Sequence, residues 1–374
     1  MSFATVLENL TTAPPSVVRR FEDLLLPKSD GGFESLAQAA RNLTLRNFGR
    51  TMRLFAPLYL SNECINNCRY CGFSRDNPIL RVTLDVAQVQ AEARYLAAEG
   101  FRQVLLVAGE HPKLVSRGYL AECVRTLSPE FSSIAIEVGP MEAHDYVPIV
   151  EAGAEGLVVY QETYDRQIYA EMHTSGPKRD FNWRLDAPER GYEAGFRRIG
   201  IGALLGLSRW QDEAVALAAH LDYLLKRCWQ AQITVSLPRL RPAAGEFEPQ
   251  FSISDREMAQ LICALRITFP QVGIVLSTRE PAPLRDALCS LGVTMMSAGS
   301  HTEPGGYTRQ GVDDLHLTVR GRQIAPEALR ATDELATSQF EISDERSAGE
   351  IAEVLRRRGF EPVWKDWDQA LLAT

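Results

Sequence analysis

The chain has 374 residues with 40 basic and 48 acidic side chains, a formal charge of −8, and its 45% apolar and 24% charged content is globular, not disordered. The acidic excess argues against a nucleic-acid groove or an anionic membrane surface as the main partner, because both select for surplus Lys and Arg. There is no apolar run of the roughly 18 residues that a membrane span needs, and no basic segment followed by an apolar one opens the chain. Seven cysteines, an odd number at this length, are not the framework of a small disulfide-stapled secreted protein. A soluble cytoplasmic protein is expected, with neither nucleic acid nor membrane as partner.

In chain order, Val17, Val18, Phe21, Leu24 and Leu25 form a helical stripe. Phe33, Leu36, Ala40, Leu43 and Phe48 form a second, with Gly31-Gly32 separating the two and Gly49 ending the latter. From there short apolar runs alternate with amphipathic stretches. The runs are Leu54–Leu60, Gln103–Ala108, Ser133–Val138, Gly156–Tyr160, Ile199–Ala203, Ile233–Leu237, Gly273–Leu276 and Val293–Met296. Between them lie helical segments such as Asp85–Ala98, Lys113–Leu127, Asp212–Trp229 and Asp255–Ile267. Runs that are apolar throughout suit parallel strands buried on both faces. Eight strand–helix units over about 250 residues predict an α/β protein of (β/α)8 barrel type, with an open doubly wound sheet as the structural alternative. The expected division is a helical N-terminal extension over 1–50, the barrel over 51–300, and a C-terminal extension over 301–374 that covers it. Thr308–Gln339 is polar and irregular and reads as a long mobile excursion. A last helix is expected over Asp344–Arg358, followed by the aromatic segment Pro362-Val363-Trp364-Lys365-Asp366-Trp367.

The informative residues are Cys64, Cys68 and Cys71, spaced C-x3-C-x2-C directly after the first predicted strand. Three thiols within eight residues cannot all pair as disulfides in a reducing compartment, so metal ligation is the natural role. A structural zinc site wants four protein ligands, and a fourth Cys or His at matching spacing is missing nearby. A 4Fe–4S cluster held by three cysteines leaves one iron open to another ligand. Three unrelated core cysteines fit poorly, because Asn62, Glu63, Asn66, Asn67 and Arg69 make the surrounding loop polar. Cys123, Cys228 and Cys263 sit in helical stripes and Cys289 near the end of a short helix, which suits buried structural cysteine.

This cysteine motif, with Tyr70 at the aromatic position and Gly72-Phe73 after it, resembles the signature of the radical S-adenosylmethionine enzymes. The resemblance implies that the open iron holds the amino and carboxylate groups of S-adenosylmethionine, whose reductive cleavage yields a 5′-deoxyadenosyl radical. Within that family, segments along nearly the whole chain resemble the 2-iminoacetate synthase branch. They are PLYLSNECINNCRYCGFS, LLVAGEH, VVYQETY, WRLDAPER, IGIGALLGLS, VSLPRLRP, LSTRE, PGGY and PVWKDWD. The hydrogenase-maturation lyases carry further cysteines in a C-terminal domain, whereas this chain has none after Cys289.

In such barrels functional groups collect where the strands end. Gly109-Glu110 closes the second run: the glycine admits close backbone approach and the carboxylate suits the cofactor ammonium. Glu137 is the one charge in its run and is costly there unless it faces the cavity. It suits the ribose hydroxyls or the substrate amine, and Glu162, after the fourth run, is the better ribose candidate. By resemblance Arg184, in WRLDAPER, meets the cofactor carboxylate through a bidentate fork. An amino-acid substrate needs a cation for its own carboxylate. Arg279 is first choice and Arg241 second, supplemented by Ser277, Thr278 and Ser297; Ser236 and Arg239 also end the sixth run.

The resemblance implies Cα–Cβ scission of L-tyrosine to 2-iminoacetate and p-cresol, with 5′-deoxyadenosine and methionine formed alongside, for the thiazole moiety of thiamine. It also implies handover of the imine to a thiazole synthase and electrons from a flavodoxin- or ferredoxin-type donor. A related lyase acting on tryptophan, and a non-catalytic metal-binding scaffold, are the rival readings.

Overall fold

A computed structural model describes residues 2–245, 247–324 and 335–364. Eight strands lie at the eight apolar runs: β1 (Thr51–Ser61), β2 (Gln103–Ala108), β3 (Ser133–Glu137), β4 (Gly156–Val158), β5 (Arg198–Gly202), β6 (Gln232–Ser236), β7 (Gly273–Leu276) and β8 (Met295–Ser297). All pair in parallel with their neighbours, and β8 returns to β1 with Arg53 opposite Met295 and Phe55 opposite Ser297. That pairing closes the barrel and removes the open-sheet alternative. A ninth short strand, β9 (Glu361–Val363), pairs in parallel with the start of β1 from outside, and Trp364 packs edge-on against Phe101. The residues of the terminal aromatic segment beyond Trp364 lie outside those described.

Helices wrap the barrel as α1 (Phe3–Glu8), α2 (Ser16–Leu25), α3 (Asp30–Phe48), α4 (Val86–Ala98), α5 (Arg117–Leu127), α6 (Ala143–Glu151) and α7 (Arg166–Met172). They continue as α8 (Phe181–Leu185), α9 (Ala187–Ala194), α10 (Trp210–Arg227), α11 (Asp255–Thr268), α12 (Ala282–Leu288) and α13 (Ala348–Arg357). Gly31-Gly32 does not separate two helices as expected. It forms the first turn of α3 because Ser29 caps the Gly32 amide, and the break falls at Leu26–Lys28. The N-terminal helices are fastened to the barrel wall: Gln260 of α11 donates to the carbonyls of Leu24 and Leu26, and Phe3 stacks on His220 of α10 at 4.2 Å. The last helix starts at Ala348, not Asp344. Ser347 and Glu350 build its capping box, while Asp344 is buried in ion pairs with Arg285 and Arg346.

Alternate residues of each strand face the lumen, in layers. At the N-terminal end Arg53 bridges Gln103 and, across the barrel, Gln232, and Arg198 bonds Ser133 and Glu155, which plugs that end with polar groups. The middle layer holds Phe55, Leu105, Ala135, Gly156, Gly200, Thr234 and Val275. At the C-terminal mouth stand Tyr59, Glu137, Tyr160, Ser236, Ser277 and Ser297.

Residues 335–344 cross the mouth as a strap. Its amides and carbonyls are taken by Leu80 and Asn62 at one end, by Gly72 and Thr302 midway, and by Pro242 and Thr278 at the other. A Cβ at Gly72 would stand 2.6 Å from the carbonyl oxygens of both Ser338 and Gln339, so the strap lies this close only over glycine. The stretch expected as a mobile excursion contains, in its described part, an ordered hairpin: His316–Val319 pairs antiparallel with Ile79–Arg81 and with Arg322–Gln323.

Candidate active site

The three cysteines lie on the loop after β1, with Cys68 buried and Cys64 and Cys71 half-buried. The loop is held from three sides. Asn67–Cys68 pairs with His173–Ser175, the Ile65 amide donates to the Glu110 carbonyl at 2.9 Å, and Asn77 donates to the carbonyls of Cys71 and Gly72. A Cβ at Gly109 would meet the Glu63 carbonyl oxygen at 2.3 Å and Cys64 Cβ at 3.2 Å, so the expected glycine role, close backbone approach, is seen against the cysteine loop itself. Burial raises the Cys68 thiol, and its neighbours Cys71 and Cys64 add to this against the opposing Lys178. Among the described residues no three His, Cys, Asp or Glu side chains are grouped as ligands of a single metal ion. The other four cysteines are buried in the core.

Beside this loop the charges are matched. Glu162, at a left-handed φ of 72°, accepts from Lys178 Nζ at 2.7 Å and from Arg184 Nη2 at 3.2 Å. Burial alone would raise its carboxyl, but Lys178 and Arg184 outweigh that and hold it at about 2. The unusual backbone is fixed from behind by buried Glu213, which binds the Thr163 hydroxyl and the Tyr164 amide. Arg184 Nε also donates to the Tyr160 carbonyl at 2.6 Å. Glu110 accepts from Asn66 at 2.6 Å and lies over Gly139, where a Cβ would stand 2.5 Å from its carboxyl carbon. The Tyr70 hydroxyl is 2.8 Å from His173 Nε2, and His173 Nδ1 is 2.8 Å from the Tyr169 carbonyl. A carbonyl only accepts, so the imidazole donates through Nδ1 and Tyr70 donates to Nε2. Burial, with Lys178 beside it, lowers His173 to about 3 and keeps it neutral.

The chamber under the strap is different. Arg279 places its guanidinium 3.4 Å from the centroid of the Phe340 ring and makes no side-chain hydrogen bond among the described residues. Glu137 lines the same chamber, also without a hydrogen bond there, and burial together with Glu162 raises its carboxyl to about 7. The Tyr59 hydroxyl donates to Gln339 at 2.7 Å, and Gln339 reaches Cys71 Sγ at 3.9 Å, so the strap joins chamber to cysteine loop. Ser277, Thr278 and Ser297 line the chamber, although Ser297 Oγ is used on the Thr278 amide. Arg241 is not part of that wall, and Arg239 is spent on Glu280 and Asp255.

Comparison with known proteins matches this layout. Residues 58–221 fit the radical SAM superfamily and residues 236–361 the Biotin and Thiamin Synthesis associated domain. A 2-iminoacetate synthase of Escherichia coli K12 is 41% identical over 349 residues, 93% of this chain and 86% of that one. The chain belongs to the 2-iminoacetate synthase family of radical S-adenosylmethionine enzymes. Among solved structures, the FeFe-hydrogenase maturase HydG from Carboxydothermus hydrogenoformans superposes with a TM-score of 0.82 at 35% identity, covering 97% of this chain and 79% of that one. Methylornithine synthase, at 21% identity and a TM-score of 0.71, shares the fold.

The residues fit the cofactors that this family uses. Three thiols on one clamped loop suit an iron–sulfur cluster that leaves one iron open. Carboxylates and cations within one loop cluster suit the zwitterionic end of S-adenosylmethionine. Lys178, Asn66 and Gln339 join the expected residues here. Their signals were faint: Lys178 follows Gly176-Pro177 in a turn far from any strand end, and Gly176, at φ 88°, lets Asn66 Oδ1 come close.

Proposed function

We propose that the chain is a tyrosine lyase that splits the Cα–Cβ bond of L-tyrosine to 2-iminoacetate and p-cresol, supplying the thiazole moiety of thiamine. The observation that carries this reading is the uncommitted Arg279 cation facing Glu137 in a chamber closed by the strap beside the cysteine loop. Cys64, Cys68 and Cys71 would hold a 4Fe–4S cluster; Glu110 would take the S-adenosylmethionine ammonium and Arg184 its carboxylate, with Tyr70, Gly109, Glu137 and Glu162 around them. When bound, these groups supply a hydrogen-abstracting 5′-deoxyadenosyl radical and leave 5′-deoxyadenosine and methionine.

The chain's own part is positioning and exclusion. Arg279 grips the substrate carboxylate as a planar fork, helped by Ser277, Thr278 and Ser297. Glu137, its carboxyl raised to about 7 by burial and Glu162, gives up its proton and pairs with the substrate ammonium. Fixing the carboxylate on Arg279 and the amino group on Glu137 holds the amino nitrogen in one place for abstraction. The strap excludes water, which an imine product requires. The extensions over 1–50 and 301–374 frame the barrel of 51–300 in this reading. Handover to a thiazole synthase, electrons from a flavodoxin- or ferredoxin-type donor, and a cytoplasmic setting complete it.

The test is anaerobic reconstitution with iron and sulfide, then assay of 5′-deoxyadenosine and p-cresol with tyrosine and tryptophan in parallel. Cresol from tyrosine supports the reading. An indole-derived product without cresol transfers the chain to a tryptophan lyase, and no 5′-deoxyadenosine at all leaves a metal-binding scaffold.

A further inference from the structure

Barrels of this type are normally filled by layers of bulky branched side chains. Here the middle layer breaks that rule. Ala135, Gly156, Gly200 and Thr234 occupy adjacent inward positions on β3 to β6, with Ala135 in register with Gly156 and Gly200 with Thr234. A cavity of about 50 Å3 lies between them and the walls of Phe55, Leu105, Val158, Ile201 and Val275. A packed interior does not tolerate such a void without loss of contact. The void adjoins the chamber above, and Phe55, Leu105, Tyr160, Ser236 and Val275 line both. Thr234 is 8% exposed, lines the void, and its hydroxyl makes no hydrogen bond among the described residues.

We propose that this hollow middle layer is the aryl pocket of the enzyme: the aromatic ring of the substrate enters it, and the Thr234 hydroxyl meets the phenolic oxygen. The proposal rests on the tyrosine lyase reading and deepens it. Thr234 is in register with Gly273, four residues below Ser277 on β7. Four residues of strand rise about 13 Å, or about 11 Å along the axis of a tilted barrel. Held at the mouth by Arg279 and Ser277, an extended tyrosine would direct its ring down toward that depth. The aliphatic walls suit a ring, and the single unmatched hydroxyl suits a phenol better than a plain phenyl group. A site with a committed hydrogen-bonding group rejects the analogue that lacks its partner. The polar plug of Arg53, Gln103, Ser133 and Arg198 then forms the floor, so cresol stays in the lumen until the strap end opens.

The experiment is equilibrium binding of L-tyrosine and L-phenylalanine to the anaerobically reconstituted protein with S-adenosylmethionine present. Wild type, Ala135→Leu and Thr234→Val are compared, with thermal unfolding recorded for each. Ala135→Leu fills the void and lowers tyrosine affinity at least about tenfold while raising the unfolding temperature, a combination that general damage does not produce. Should it misfold, Ala135→Val gives the same pair of changes at smaller size. Thr234→Val keeps the volume and shrinks the preference for tyrosine over phenylalanine by about tenfold. If wild type binds and cleaves tyrosine yet both variants keep its affinity and preference, the pocket is refuted and the lyase reading stands. If wild type itself neither binds nor cleaves tyrosine, both fall together.

Discussion

Around the cysteine loop the charges are already matched, whereas in the chamber beneath the strap they are left open. Glu162 is paired with Lys178 and Arg184, and Glu110 accepts a hydrogen bond from the Asn66 amide. Arg279 has only the face of Phe340, and Glu137 has no hydrogen bond among the described residues. A buried charge without a partner is costly, so the two regions store free energy differently. The open region suits a ligand that brings one anion and one cation a few ångströms apart, as the proposed amino-acid substrate does. Binding there should therefore move protons and affinity, while damage beside the cysteine loop should move stability and the cofactors.

Loss of a thiol is the largest expected effect. Cys68→Ala should abolish 5′-deoxyadenosine formation and lower bound iron, as should the same change at Cys64 or Cys71. Cys263→Ala, in the helical core, should cost only about 1 kcal/mol of stability. Iron content and cofactor cleavage that survive Cys68→Ala would sink the cluster assignment.

Next is the matched triad. Lys178→Met removes one of the two cations that hold Glu162 ionised, leaving Arg184, and should cost about 2 kcal/mol in denaturant unfolding at pH 7. The sign of its pH dependence follows from the depressed carboxyl. With Glu162 at about 2 in the folded protein and near 4.5 when unfolded, its contribution is full above pH 4.5 and fades as pH falls toward 2. Unfolding at pH 7 and pH 3 should show a smaller difference for Lys178→Met than for wild type; an equal difference means that the triad does not set the Glu162 carboxyl.

Arg279→Ala tests the open region directly. It should weaken tyrosine use by about 2–4 kcal/mol by stripping a charge-assisted pair from a closed chamber. Affinity for S-adenosylmethionine, measured separately, should hold, and Glu110→Ala should reverse the pattern. Equal loss of cofactor binding in both variants would erase the distinction between the regions.

Glu137 gives a smaller and more diagnostic signal. Burial and Glu162 hold its carboxyl at about 7, above the usual 4.5, so the ligand-free protein loses stability as pH rises between those values. A bound ammonium lowers that carboxyl, so tyrosine binding near pH 6.5 should release a fraction of a proton. Calorimetry in buffers of different ionisation enthalpy reads it, and Glu137→Gln should remove it. Release that persists in the variant assigns the proton elsewhere.

The contrast between the regions also explains what was legible in the amino-acid order. The eight apolar runs became the eight strands because fully buried parallel strands leave few alternatives, and Cys64, Cys68 and Cys71 declare themselves by spacing. Arg279, Ser277 and Ser297 were legible because barrel chemistry gathers at strand ends. Lys178 was not: it sits in a turn, and only the fold brings it to Glu162. Gln339 and Phe340 reach the site from more than two hundred residues beyond the cysteines, through a strap with no periodicity to read. The hollow middle layer was equally hidden, since Gly156 and Gly200 look like ordinary strand glycines until the barrel closes.

The smallest expected effect belongs to Arg241. It lies further past the end of β6 at Ser236 than Arg279 lies past the end of β7 at Leu276, and next to Pro242, which already ranks it second. The structure separates them. Arg241 contributes nothing to the chamber wall, its Nε is buried without a partner among the described residues, and the adjacent Pro242 carbonyl receives the Glu341 amide at the strap's edge. A guanidinium that is not on the chamber wall cannot form the fork that Arg279 offers a carboxylate held inside it. Arg241→Ala should therefore change tyrosine affinity by no more than about threefold, the range of substitutions that lose no defined contact. The double variant with Arg279→Ala should be no worse than Arg279→Ala alone beyond that factor, since the two sites share no partner. A loss at Arg241 as deep as that at Arg279 would put the substrate carboxylate under the strap's edge and make the open region larger than the chamber described above.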